Sequence, residues 1–103
     1  MIYVGALRGE GMLVSAQLDS KLGRAAYDID GFLDHTKTVV ASGEIRMEGA
    51  DLDKAFGLGD FVLEGDSGLK LVLRFTAKQL PPGSRAAHVD VVGGLPTKEE
   101  WPR

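Results

Sequence analysis

Apolar and polar residues alternate with a period of two along most of this chain, and a helical period is nearly absent. From Leu69 to Ala77 every odd position is apolar, while Lys70, Arg74 and Thr76 take the other face, the signature of a half-buried strand. From Arg24 to Leu33 the same test turns Ala25, Tyr27, Ile29, Gly31 and Leu33 inward and Asp28 and Asp30 outward. From Val39 to Glu48 it turns Val39, Ala41, Gly43, Ile45 and Met47 inward, with Ser42, Glu44, Arg46 and Glu48 outward. Ala87, Val89 and Val91 point inward near the C-terminus, opposite His88 and Asp90.

The turns between these segments set their register. Asp66-Ser67-Gly68 reads as a three-residue hairpin loop with glycine in the left-handed position. It pairs Phe61 with Leu73 and Leu63 with Leu71 on the core face, and Asp60 with Arg74, Val62 with Val72 and Glu64 with Lys70 on the outer face. A five-residue loop from Asp34 to Thr38 pairs Leu33 with Val39, hence Asp28 with Glu44 and Asp30 with Ser42. Gly9-Glu10 reads as a two-residue hairpin loop that pairs Leu7 with Met12, Gly5 with Val14 and Tyr3 with Ala16. The opposite face of that hairpin would carry Ile2, Val4, Ala6 and Leu13. Both of its faces are then largely apolar, which is unusual for an antiparallel pair with one side in water.

The one helical segment lies near residues 51 to 56, with Asp51 as its cap, Leu52, Ala55 and Phe56 as its apolar side and Gly57 as its stop. About seven short strands with glycine-rich turns predict a single all-β domain over residues 1–96, an antiparallel barrel or sandwich. Residues 97–103 form a polar tail containing Trp101. Thr97 and Glu100 there have capping-box spacing, and Pro102 leaves little room for a helix.

Composition narrows the function classes. At 103 residues a single domain is expected. The absence of cysteine removes disulfide, thiolate-metal and thiol-redox roles. A net charge of −3 argues against a nucleic-acid partner, which calls for a basic face. No segment approaches the ~18 apolar residues of a membrane span, and Arg8 interrupts the N-terminal apolar run, so a cytoplasmic location without membrane attachment is expected.

Several strings suggest chemistry and fail on context. Gly65-Asp66-Ser67-Gly68 copies the nucleophile string of chymotrypsin-like serine proteases, but the only candidate histidine in the right surroundings, His88, follows the serine instead of preceding it. Asp28 and Asp51 each open a calcium-loop pattern whose glycine and glutamate positions hold other residues. Cyclic-dinucleotide barrels of the PilZ family use an arginine pair that is missing here. No phosphate-binding glycine loop occurs, and no cofactor is implied. His88 and Asp90 share a strand face with no nucleophile beside them, so no catalytic residue is assigned.

Two expectations remain. The first is a non-catalytic protein-interaction or self-association module, a homo-oligomer or a partner of another protein, with Ile2, Val4, Ala6 and Leu13 as its interface. The second is a small-ligand or divalent-metal binding domain built on the outer-face carboxylates Asp28, Asp30 and Glu44.

Overall fold

The computed structural model describes residues 1–17, 19–56 and 59–101. Six strands form a closed antiparallel barrel in the order β1-β2-β3-β6-β5-β4. They are β1 (Ile2–Ser15), β2 (Lys21–Leu33), β3 (Val39–Met47), β4 (Phe61–Gly65), β5 (Lys70–Phe75) and β6 (Ala86–Gly93). Two three-stranded meanders, β1-β2-β3 and β4-β5-β6, join along β3–β6 and β1–β4. Every strand sends at least one fully buried side chain to the centre: Leu13, Ile29, Ile45, Phe61, Leu63, Leu71, Leu73 and Val89. Each such residue contributes about 1.5–3 kcal/mol of burial free energy.

The alternation in the sequence sets this inside–outside pattern, and two loops hold the register it requires. The β4–β5 hairpin pairs Phe61 with Leu73, Leu63 with Leu71 and Glu64 with Lys70, and Gly68 occupies its left-handed position at φ 97°. Its ion pairs form as the register demands, Arg74 to Asp60 at 3.1 Å and Lys70 to Glu64 at 3.6 Å. In the β2–β3 loop, one Asp34 carboxylate oxygen accepts from the Thr36 and Thr38 backbone N–H groups, at 2.9 and 3.0 Å, and from the Thr36 hydroxyl. That turn sets Leu33 opposite Val39 and carries the pairing through to Asp28 opposite Glu44.

The expected hairpin at Gly9-Glu10 does not exist. Residues Ile2–Ser15 run as one continuous strand, which is why the barrel has six strands and not seven. Gly9, expected in the turn, and its neighbour Gly11 serve close approach instead. A Cβ on Gly9 would lie 3.0 Å from the Tyr27 hydroxyl, and one on Gly11 would lie 2.4 Å from the Glu64 carbonyl oxygen of β4.

Two plugs close the ends of the barrel. At one end is α1 (Gly49–Phe56), whose Leu52 and Ala55 are buried. It begins two residues before the expected start, so Asp51 sits in its first turn, against Gly23, and not at its cap. Gly57, the expected stop, lies outside the described residues. At the other end the tail turns back on the barrel. Lys98–Glu100 form a short 3-10 turn, and the Glu100 carboxylate accepts from the Thr97 N–H and hydroxyl at 2.9 and 2.8 Å. Trp101 follows, only 4% exposed, and its indole N–H donates to the Pro96 carbonyl at 3.1 Å. Its ring lies against Gly31, which pairs with Gly5 of β1, and a Cβ on Gly31 would come within 2.6 Å of it. The tail therefore supplies part of the core.

The second plug can be checked with the chain's own fluorophore. Gly31→Val is expected to expel Trp101, shifting its emission to the red and costing roughly 3–5 kcal/mol, like loss of the indole itself. An unshifted spectrum in that variant would contradict this seat for Trp101. The β2–β3 turn makes a second prediction. Its hydrogen bonds from Thr36 and Thr38 hold the Asp34 carboxyl below its ordinary value. The unfolded chain therefore takes up this proton first, so the stabilisation is complete above about pH 5 and fades as pH falls through the carboxylate range. The melting-temperature gap between wild type and Asp34→Ala is expected to be constant above about pH 5 and to narrow in acid.

Candidate functional site

The two meanders differ in length, and that difference creates the surface of interest. β1 and β2 have 14 and 13 residues, β4 and β5 only 5 and 6. β4 pairs with β1 only from Gly11 to Ser15, so β1 from Ile2 to Gly9 runs on past the β4–β5 tip with β2 as its one partner. The result is an overhang of the sheet at the end closed by Trp101. Its inner face is covered by that indole.

The outer face of the overhang is apolar. Register places Tyr3, Phe32 and Val40 side by side on β1, β2 and β3. The Tyr3 and Phe32 rings meet edge-on with centroids 5.6 Å apart, and Tyr3 is 56% exposed. Met1 and Val92 are exposed as well. Met1, Phe32, Val40, Ala41, Ser42 and Asp90 surround a depression of about 240 Å³.

Polar rows follow along the same wall. The first aligns Ala6, Asp30, Ser42 and Asp90, and the second aligns Arg8, Asp28, Glu44 and His88. The Arg8 guanidinium donates to Asp28 at 2.9 Å, and Arg46 donates to Glu44 at 3.2 Å. The opposed carboxylates of Asp28 and Glu44 are thus each offset by their own arginine. The bond to Asp28 raises the Arg8 pKa further above its ordinary value. The Tyr3 hydroxyl reaches Asp30 at 3.4 Å.

The expected interface of Ile2, Val4, Ala6 and Leu13 is divided between inside and outside. Leu13 is fully buried because a continuous strand keeps it on the same face as Leu7, whereas a two-residue turn would have reversed it. Val4 is 5% exposed because it is the extra residue of a bulge between the Tyr3–Phe32 and Gly5–Gly31 pairs. The bulge reverses which side chains face in, so it also moves Tyr3 from its expected core position to the outer wall. Ile2 stays 67% exposed at the rim, and Ala6 is half-buried.

The carboxylates Asp28, Asp30 and Glu44 lie on the outer face in the expected register. They do not converge: among the described residues no group of three histidines or carboxylates is placed to hold a metal ion. Neighbours two apart on a strand are nearly 7 Å from each other, and each of these has taken a separate partner. His88 contacts the Thr76 hydroxyl at 3.2 Å through Nδ1, and Ser67 lies at the β4–β5 tip. His35 is exposed in the β2–β3 turn.

Comparison with protein-family models, curated proteins and solved structures yields no match. The reading of this surface therefore rests on its own geometry. Phe32 and Val40 could have been assigned to it from the sequence, because both are even-numbered in strands whose odd positions face inward. Tyr3 and the seat of Trp101 could not, since a bulge and a returning tail leave no periodic trace.

The division of the N-terminal residues predicts unequal costs of truncation. Leu13→Ala should lose about 2–5 kcal/mol in denaturant unfolding, and Ile2→Ala should stay within about 0.5 kcal/mol of wild type. Equal losses would contradict the continuous strand.

Proposed function

We propose that this barrel is a non-catalytic protein-interaction module that docks through the outer face of the overhang. The observation carrying this reading is the apolar row of Tyr3, Phe32 and Val40 on an outer wall, with Met1 and Val92 exposed nearby. Contiguous exposed apolar area of this kind marks interaction surfaces on small proteins. Tyrosine and phenylalanine also bring large, stiff contact area at small entropic cost.

Among the described residues every strand and both plugs send buried side chains into the barrel interior, so a lumen for a small ligand finds no support there. The metal version of the alternative has only individually paired carboxylates behind it. Among the described residues no helix is long and apolar enough to cross a membrane. Docking to protein is the function these features favour, whether to a second copy or to a different chain.

A photoreactive residue placed at position 3 or 92 in cells is expected to form protein crosslinks, and the same residue in place of Glu64 on the β4–β5 hairpin is not. Silence from positions 3 and 92, or equal yields from all three sites, would remove this assignment. The mass of the adduct reports directly whether the partner is another copy of the chain.

A further inference from the structure

Resting on that docking surface, we infer that its occupant is a basic segment of a different protein, one carrying lysine or arginine next to large apolar side chains. The charge pattern of the wall points there. Arg8 is bonded to Asp28 and Arg46 to Glu44, so among the described residues Asp30 and Asp90 border the apolar row with no cation bonded directly to them, and feel Arg8 and Arg74 only through space. Asp30 accepts a long hydrogen bond from the Tyr3 hydroxyl, 3.4 Å, and interacts with Arg8 through charge alone. Asp90 stands opposite Arg74 on β5, but that guanidinium donates through two nitrogens to Asp60, at 3.1 and 3.3 Å.

Asp30 and Asp90 flank Ser42 on adjacent strands, two inter-strand spacings or about 10 Å apart. The depression between Phe32, Val40 and Asp90 lies where the apolar row meets this acidic row. A lysine or arginine stem can rest on Phe32 and Val40 while its charged head reaches Asp90 or Asp30. An apolar residue beside it then covers Tyr3.

A second copy of this chain fits less well. It carries a net charge of −3, and among the described residues the arginines on this wall, Arg8 and Arg46, already hold Asp28 and Glu44. Copies meeting across a two-fold axis on this wall would bring two sets of carboxylates with no directly bonded cation into one interface, and like charges there oppose association.

The test is selection from a random twelve-residue peptide display library on three immobilised proteins: wild type, Asp30→Asn/Asp90→Asn and Tyr3→Ser. Each variant is first checked for an unchanged melting temperature and Trp101 emission. Wild type is expected to enrich peptides with lysine or arginine adjacent to aromatic or aliphatic residues. The enriched peptides, resynthesised with a fluorophore, should bind the double asparagine variant roughly three- to tenfold more weakly, the scale of two exposed ion pairs. Their binding to wild type should weaken with added salt.

Enrichment of neutral or acidic peptides that Tyr3→Ser fails to bind would overturn the basic partner and keep the docking surface. A concentration-dependent dimer in light scattering, abolished by Tyr3→Ser, would replace the basic segment with a second copy. No enrichment together with a strict monomer, or enriched peptides that bind all three proteins equally, would remove both readings.

Discussion

The barrel depends on one close approach, that of β1 to β4 at Gly11. A side chain there would meet the Glu64 carbonyl oxygen at 2.4 Å, so the two meanders can pair along Gly11–Ser15 only because the position is bare. With that seam closed, β1 must run straight through from its pairing with β2 into its pairing with β4. Leu13 is thereby drawn into the centre beside Leu63, and the strand direction carries Ile2 to Gly9 beyond the end of the short second meander. The overhang, its Trp101 plug and its apolar outer row all follow from where this seam begins.

Most of the architecture was legible in the sequence because it rests on local rules. Period-two alternation identified the inward faces of β2, β3, β5 and β6. Two loops with strong turn chemistry, Asp34–Thr38 and Asp66-Ser67-Gly68, set registers that the structure shows residue for residue. The first strand misled for a physical reason. Glycine favours both turns and close backbone approach, and only the positions of Tyr27 and Glu64, far away in sequence, decide between those uses at Gly9 and Gly11. The same limit applies to Val4, whose bulge is a property of the β1–β2 ladder and not of any residue type.

The N-terminal strand carries apolar residues on both faces, but these are the two sides of one bulged strand and not those of a hairpin. One face is covered from within by a tryptophan contributed by the tail, and only the other meets solvent. The neighbouring charges also resolve more simply than a metal site would require. Arg8 and Arg46 each take one carboxylate, and the ion pairs on this wall and on the β4–β5 hairpin are exposed. Such pairs contribute little to stability. Their effect here is on the potential of the surface, since they decide which carboxylates at the edge of the apolar row have a directly bonded arginine and which do not.

The seat of Trp101 has a consequence for the order in which this molecule can assemble. The inner side of the overhang belongs to β1 and β2, and its cover is synthesised only after all six strands. Until β4 is made, β1 lacks the seam with it, and until Trp101 follows, the apolar stretch beyond the seam has no cover on its inner side. Contacts so distant in sequence make closure slow and cooperative, and they leave an incomplete chain with a strand that can pair with a neighbouring nascent copy. The tail that finishes the core therefore also ends the interval in which the first strand is most liable to aggregate.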